Sequence, residues 1–437
     1  MTAGPARADL AGVEVVVVSS EQPGRLMAGP AIRATHLARE LGRAGARVTL
    51  ACTAEPDVDL GVPTRVIGPP DPRTYRRLAR GCDVLMIQPQ RVDVAAGLHR
   101  GTARIVYDLY VPYFVEYPAS VLAARGSGRT ARKLIERNHR EVATAVSCGD
   151  GFLVASDRQR DFLWGALGQA GRLQYPPAAH AEAARVAVVP FGLPDADPPR
   201  QATGRLRGQL VPADAVIALW AGGVWNWFDP LTVVRAVAAA RVSDPRVHLV
   251  FLGSGHPSAD FQGQDAATAA LAAPEVGALL EDGGLVFVDE WVPYEDRGAY
   301  LTEADLGVCA FFDSPETRMS FRTRLLDHLW AGLPTLTTQG GVLSDRMVAA
   351  GAAVELPPGD VDAWRDMLVA LADDRARRGA MAASATALAP DYRWSRVAEP
   401  LVGLVADLAA HAEGPGARPA ARDVLGYLAV AVENRLR

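Results

Sequence analysis

The sequence predicts an α/β protein of two tandem Rossmann-like domains, each a doubly wound parallel sheet, followed by C-terminal helices. Three observations carry this reading. Apolar runs of strand length recur through both halves, helix-length segments separate most of them, and a Pro-, Asp- and Arg-rich stretch at residues 194–212 breaks the rhythm once. Strands alternating with helices imply parallel sheets whose crossovers cover both faces. The 437-residue length suits two or three domains. The divisions are read as residues 1–200, residues 201–395 and a helical tail, 396–437, that packs back on the first domain.

Residues 13–19 form a continuous apolar run, as a strand buried on both faces requires. A helix is expected at 30–44: Pro30 suits its first turn, Ile32, Leu37 and Leu41 approximate one apolar face, and Gly45 ends it. Further strands are expected at 47–52, 64–67, 83–87, 104–108, 152–155 and 187–190. Between the last two, Ser156-Asp157-Arg158-Gln159 is a capping box that opens a helix. After the 194–212 linker, strand 216–221 precedes a helix capped by Asp229-Pro230 that runs to about Arg241. Strand and helix then alternate as 247–252 and 266–273, 285–288 and 294–302, 306–311 and 321–331, 335–338 and 342–350, 353–356 and 362–372. Segments 397–411 and 423–436 read as terminal helices around a loop at 413–418.

Composition removes several functional classes. Net charge is -5, so no global basic field attracts nucleic acid. Four cysteines form no CxxC pair, which fits a reduced, cytoplasmic compartment. Eight histidines show no metal-ligand spacing, and no metal is expected. The 13–18 run is too short to span a membrane. Membrane contact is expected to be peripheral at most, at the basic stretch 125–140, which reads equally as a solvated helix face. Gly253-Ser254-Gly255-His256 lacks the third glycine of a dinucleotide fingerprint, so an NAD enzyme is not supported.

Ligands bind outside the carboxyl ends of parallel strands. If both sheets turn those ends toward each other, the cleft between the domains is the expected site. After the first strand, Met27-Ala28-Gly29-Pro30 lets backbone N–H groups approach a ligand, or is simply a helix start. After the first strand of the second domain, Gly222-Gly223-Val224-Trp225-Asn226-Trp227-Phe228 puts three aromatics in one loop. They line a ligand cleft or pack between the domains; Trp225 or Trp227 suits a sugar face and Asn226 supplies hydrogen bonds. The segment 289–294, with Trp291 and Val292, offers backbone groups to a nucleobase edge or is a capped helix start. Asp108 and Glu116 follow a strand of the first domain and are candidate acceptor-side carboxylates, or helix caps. His36 lies mid-helix and reads as packed.

The densest cluster is Glu316, Arg318, Ser320, Arg322, Thr323, Arg324 and Asp327. With Ser320 as helix cap, Thr323, Arg324 and Asp327 share one face and Leu325, Leu326 and Leu329 the buried one. Hydroxyls, guanidinium groups and a helix N-terminus suit a phosphate, and the carboxylate suits sugar or ribose hydroxyls. The combination points to a nucleotide-sugar site; the plain alternative is an Arg324–Asp327 surface pair.

These residues resemble those of GT-B glycosyltransferases, close to the retaining family-4 group. Ala331-Gly332-Leu333-Pro334 matches that group's AGLP stretch, and Asp327 falls at the second Glu of its E-x7-E motif. Val189-Pro190-Phe191-Gly192 resembles its strand end before the linker, and Gly29-Pro30 its N-terminal glycine loop. The segments 225–232, 291–294 and 320–324 look like a polysaccharide and natural-product branch. The resemblance has departures. Met319 stands at the first Glu of the motif, with Glu316 as substitute, and Gly223 and Phe228 stand where the group has its Arg and Lys diphosphate ligands.

The resemblance implies a metal-independent transfer of a glycosyl group from a nucleotide sugar, with retention of configuration. No cofactor is implied beyond that donor. The acceptor is a glycan, a glycolipid or a small-molecule aglycone, and domain closure excludes water. DxD strings at 57–59, 195–197 and 360–362 lie in loops away from the strand ends expected to hold donor, against a metal-dependent single-domain transferase. Asp108, Glu116 and Glu316 are the candidate catalytic carboxylates. Gly29, Gly222, Gly223, Trp225, Asn226, Trp291, Val292, Arg318, Ser320, Arg322, Thr323, Arg324 and Asp327 are the donor-binding candidates. Alternatives are a nucleotide-sugar epimerase, a phosphorylase, for which the only lysine, Lys133, is poorly placed, and a non-catalytic protein of the same fold.

Overall fold

Residues 9–173, 185–199, 204–253, 265–288 and 291–410 are described by the structure, a computed structural model. The chain divides into two units: residues up to Tyr117, Arg132–Phe191 and the segment from Trp394 form the first, Pro118–Ala131 and Gly192–Arg393 the second.

The first unit begins with β1 (Glu14–Val18), α1 (Gly29–Arg43), β2 (Arg47–Cys52), β3 (Thr64–Val66), α2 (Pro72–Leu78), β4 (Val84–Ile87), α3 (Val92–Leu98) and β5 (Arg104–Asp108). Helices α4 (Tyr113–Arg125) and α5 (Arg129–Cys148) then lead to β6 (Gly151–Val154), α6 (Asp157–Gln169) and β7 (Val186–Val188). The seven strands pair in the order β3-β2-β1-β4-β5-β6-β7, all parallel. Central β1 is buried from Val15 to Val18, which is why its sequence is an unbroken apolar run rather than an alternation. Val16, Leu85, Ile105, Tyr107 and Phe152 belong to the core beside this sheet. Ser156 caps α6 by accepting from the Gln159 amide (3.2 Å), while Gln159 Oε1 accepts from the Ala155 amide (2.7 Å).

The second unit runs β8 (Val216–Trp220), α7 (Pro230–Ser243), β9 (Val247–Phe251), α8 (Asp265–Leu271), α9 (Pro274–Glu281), β10 (Leu285–Phe287), α10 (Arg297–Leu301) and β11 (Leu306–Cys309). It continues with α11 (Pro315–Met319), α12 (Thr323–Ala331), β12 (Thr335–Thr338), α13 (Val342–Ala349), β13 (Ala353–Leu356), α14 (Val361–Asp373), α15 (Arg375–Leu388) and a 3-10 turn, Ala389–Tyr392. Its six parallel strands pair as β10-β9-β8-β11-β12-β13. Asp229 caps α7 by accepting from the Thr232 amide (3.2 Å). Gly332 ends α12 at φ +68°, a left-handed conformation that a residue with a Cβ resists. The chain then returns to the first unit with α16 (Trp394–Val397) and α17 (Glu399–Ala410).

Three expectations need correction. The segment 204–211 is not linker. Leu206 and Val211 are buried in the second core, and the Glu303 carboxylate accepts from the amides of Arg205 (2.5 Å), Leu206 (3.0 Å) and Arg207 (3.2 Å). Helix α15 was not anticipated, because its Arg- and Ala-rich sequence buries only Met381 and Ala385 and shows no broad apolar stripe. Ser320 does not cap α12. Arg322 occupies that position, while Ser320 closes α11, which Ser314 caps through the Thr317 amide (3.2 Å). The expected helix at 321–331 corresponds to α12, and the short α11 before it was not expected. The expected elements at 413–418 and 423–436 lie outside the described residues. Among the described residues no helix is long and apolar enough to cross a membrane.

Candidate functional site

Each sheet reverses its strand order once, between β1 and β4 in the first unit and between β8 and β11 in the second. Such switch points are where open α/β sheets leave a crevice. In the second unit the loop 221–229 after β8 and the segment 310–322 after β11 meet there. Phe228 and Phe311 form an antiparallel bridge, and the Asp229 amide donates to the Ala310 carbonyl (3.0 Å).

Arg324, in the first turn of α12, reaches under the β8 loop. Its Nε donates to the Ala221 carbonyl (2.5 Å) and its Nη2 to the Gly223 carbonyl. The guanidinium is buried and stacks 4.1 Å from the centroid of Phe228 and 4.9 Å from that of Trp220. No carboxylate hydrogen-bonds it, and Nη1 has no hydrogen-bond partner among the described residues. The Cys309 thiol is near, but a neutral thiol offers no counter-charge; burial pushes that thiol up and pulls the Arg324 guanidinium down. Gly222 carries φ +99°, and a Cβ there would stand 3.8 Å from Arg324 Nη2. In a trans peptide the N–H points opposite to the C=O, so the Gly222 N–H faces away from Arg324. The N–H groups of Gly222 and Gly223 find no acceptor among the described residues.

Arg322 and Glu316 are placed differently. They form a buried bidentate pair at 2.9 and 2.6 Å, and Ser320 Oγ donates to the same carboxylate. Arg322 Nη2 also donates to Thr317 Oγ1 (3.3 Å), its Nε has no hydrogen-bond partner among the described residues, and its guanidinium lies over the Phe311 ring at 4.8 Å. Arg318 and Thr323 are exposed. Asp327, a quarter exposed, accepts from Arg297 Nε at 2.9 Å. Arg297 is itself buried, with its guanidinium 3.7 Å from the Tyr294 ring centroid and 4.6 Å from that of Trp330. Trp225 and Trp291 lie 6.3 Å apart, both partly buried. Asn226 is buried, and the Val292 side chain belongs to the core, so only its backbone is left for a ligand.

In the first unit Asp108 is answered by Arg33, which donates Nε and Nη2 to its two oxygens at 2.7 and 2.9 Å. Arg33 is fully buried and also donates to the carbonyls of Val189 (2.9 Å) and Pro190 (3.0 Å). Glu116 lies in the first turn of α4. Gly29 opens α1, where a Cβ would stand 3.8 Å from Tyr110 Oη. His36 stacks on Trp394 at 4.9 Å, as a packed residue does. Neither Arg33 nor Arg297 stood out in the sequence; an arginine on the apolar stripe of a helix, as Arg33 is between Ile32 and Ala34, is the available signal. A groove of about 1010 Å³ opens near the other ends of β1 and β2, beside Glu14, Arg43 and Arg47, away from the strand-end loops.

No family model and no curated protein matches the sequence. Solved structures match by fold. Sucrose-phosphate synthase from Thermosynechococcus elongatus aligns at a TM-score of 0.64 and 15% identity, over 91% of this chain and 99% of that one. Anabaena HepE in complex with UDP-glucose gives 0.61 and 15%, over 90% and 98%. WaaG, a glycosyltransferase involved in lipopolysaccharide biosynthesis, gives 0.60 and 16%, over 90% and 99%. With two parallel sheets of seven and six strands and matches of this extent, the chain has the GT-B fold of these glycosyltransferases.

Proposed function

We propose that this protein is a glycosyltransferase that takes a sugar from a nucleotide-sugar donor and passes it to an acceptor hydroxyl. The observation that carries the reading is the placement of Arg324. Its guanidinium sits against Gly223 and Phe228, the two positions where the resemblance calls for basic diphosphate ligands. A charge that the β8 loop lacks is thus delivered from α12. Burying it costs several kcal/mol, roughly what two carbonyl hydrogen bonds and two ring faces return at about 2 kcal/mol apiece. The cation is therefore tolerated but not neutralised, and an anion on the far side of the 221–223 turn would complete it.

On this reading the donor diphosphate accepts from the Gly222 and Gly223 amides, with Arg324 behind the Gly222 amide and exposed Arg318 on α11. Fixed donors of this kind stabilise the charge that grows on the leaving phosphate. Asp327, held by Arg297, accepts from ribose or sugar hydroxyls, while Trp225, Asn226, Trp291, the Val292 backbone and Thr323 surround base and sugar. Gly29 and Glu116 belong to the acceptor side. Glu316, Ser320 and Arg322 brace the segment between β11 and α12, and Asp108 braces the first unit through Arg33.

The GT-B fold and the complexes of HepE with UDP and UDP-glucose support a uridine donor as the first to try. We take the transfer to proceed with retention, as the resemblance implies. The test is a nucleotide-sugar panel, scored for release of nucleoside diphosphate with glycan, glycolipid and aglycone acceptors, and NMR of the product. Transfer with the donor's anomeric configuration kept is the expected result. An inverted linkage would overturn retention, and an epimerised free donor would overturn transfer.

A further inference from the structure

The outer face of α5 carries positive charge that has no structural task. From Arg132 onward this helix belongs to the first unit. Residues 132–140 hold four cations, Arg132, Lys133, Arg137 and Arg140, against one carboxylate, Glu136, in a chain of net charge -5. Asn138, Val142 and Ala145 turn inward and are buried, the last two in the core beside the sheet. The four cations are exposed. Lys133, Arg137 and Arg140 stand at i, i+4 and i+7, which puts like charges in one stripe.

A helix face that serves only solvation alternates its charges, so that residues four apart attract. Here Arg140 reaches Glu136 at 3.5 Å and Arg137 reaches Glu141 at 3.6 Å, long contacts from exposed guanidinium groups that are worth little. The Arg132 and Lys133 side chains form no ion pair or hydrogen bond among the described residues. The first turn of α5 has no acidic residue to offset them. Exposed apolar surface flanks these cations. The His139 ring, on the same exposed face, lies 6.2 Å from that of Phe114 at the start of α4, and Phe114 meets Phe162 of α6 edge-on at 5.7 Å. Phe162 is 38% exposed, a ring held by packing on one side and open to water on the other.

We propose that this face of α5, together with Phe162, docks the first unit on a membrane surface of anionic lipid. Lipid headgroups attract the cations, and the boundary with the acyl chains takes the aromatic ring. A hydrated polyanion would match the charge but offer the ring no apolar layer. The contact is adsorption to one leaflet, since among the described residues no helix is long and apolar enough to cross a membrane. Each cation near such a surface is worth about fivefold in partition. Binding is therefore reversible and weakened by salt. The inference is independent of the glycosyl-transfer reading.

The experiment sediments the full chain with vesicles of phosphatidylcholine alone, and with vesicles that also contain about 30 mol% phosphatidylglycerol, at about 0.05 and 0.5 M salt. The wild type is expected to sediment with the anionic vesicles at low salt, to stay in solution with the neutral ones, and to be released at high salt. The triple variant Arg132→Gln, Lys133→Gln, Arg140→Gln loses about 100-fold in partition. It unfolds at the wild-type temperature, because the three side chains are exposed. Phe162→Ala loses about fivefold in partition. A wild type that stays in solution with the anionic vesicles, or a triple variant that partitions as the wild type does, would overturn the inference. Polyuridylate that binds the wild type as tightly as the anionic vesicles do, at the same salt, would overturn it in favour of nucleic acid. None of these results bears on donor binding in the second unit, which the transfer assay tests separately.

Discussion

Arg33 and Arg324 are both buried arginines near strand ends, and their charges are met in opposite ways. Asp108 takes both Nε and Nη2 of Arg33 with its two oxygens, whereas Arg324 hydrogen-bonds to carbonyls, lies over rings and has no carboxylate bonded to it. The first arrangement is complete and holds structure; the second leaves a positive potential for a ligand. Asp108→Asn tests the contrast. It strands Arg33 in the core and is expected to lower stability by about 3–5 kcal/mol in urea unfolding. A variant as stable as wild type would return Asp108 to the list of catalytic groups. Sequence alone singled out Asp108 as a candidate acceptor-side carboxylate and Arg324 as a candidate phosphate ligand, but not the groups that hold either in place. A residue's partner across 75 positions, as Arg33 is to Asp108, is set by topology and has no local trace.

At the scale of elements, the strands were legible because burial on both faces forces continuous apolar runs, and most helices because their caps are local. Asp229 and Ser156 are such caps, and Gly332 is a stop. The region between β11 and β12 was less so. There α11 and α12 are short, and α12 begins at Arg322 without a side-chain cap while Arg322 pairs with Glu316. The packing of α12 on β11 depends on Gly307, where a Cβ would lie 2.5 Å from the His328 ring. His328 is fully buried, hydrogen-bonded to Thr335 Oγ1 (3.2 Å) and pushed down to about 3 by burial, so it is neutral and has no room to retreat. Gly307→Ala is expected to cost about 1–3 kcal/mol by overpacking, read from the shift of the urea midpoint. An unshifted midpoint would mean that α12 is free to move off the sheet.

For the whole molecule, the sequence rhythm of βα units was enough to anticipate two parallel sheets, since parallel strands need long crossovers and those crossovers read as helices. The passage between units was harder to place. Residues 204–211 look like linker by composition yet are held by one carboxylate, Glu303, far along the chain. The protein carries a net charge of -5, so an anionic ligand gains nothing from the global field and must be bound by local positive charge. On the proposed reading that charge is Arg324, under the Ala221–Gly223 turn. Titration calorimetry with UDP, GDP, ADP and dTDP, on the wild type and on Arg324→Gln, tests this most directly. One nucleoside diphosphate is predicted to bind the wild type at a single site and to bind a still-folded Arg324→Gln at least tenfold more weakly. Absence of binding by all four, or equal affinity for the two proteins, would contradict it.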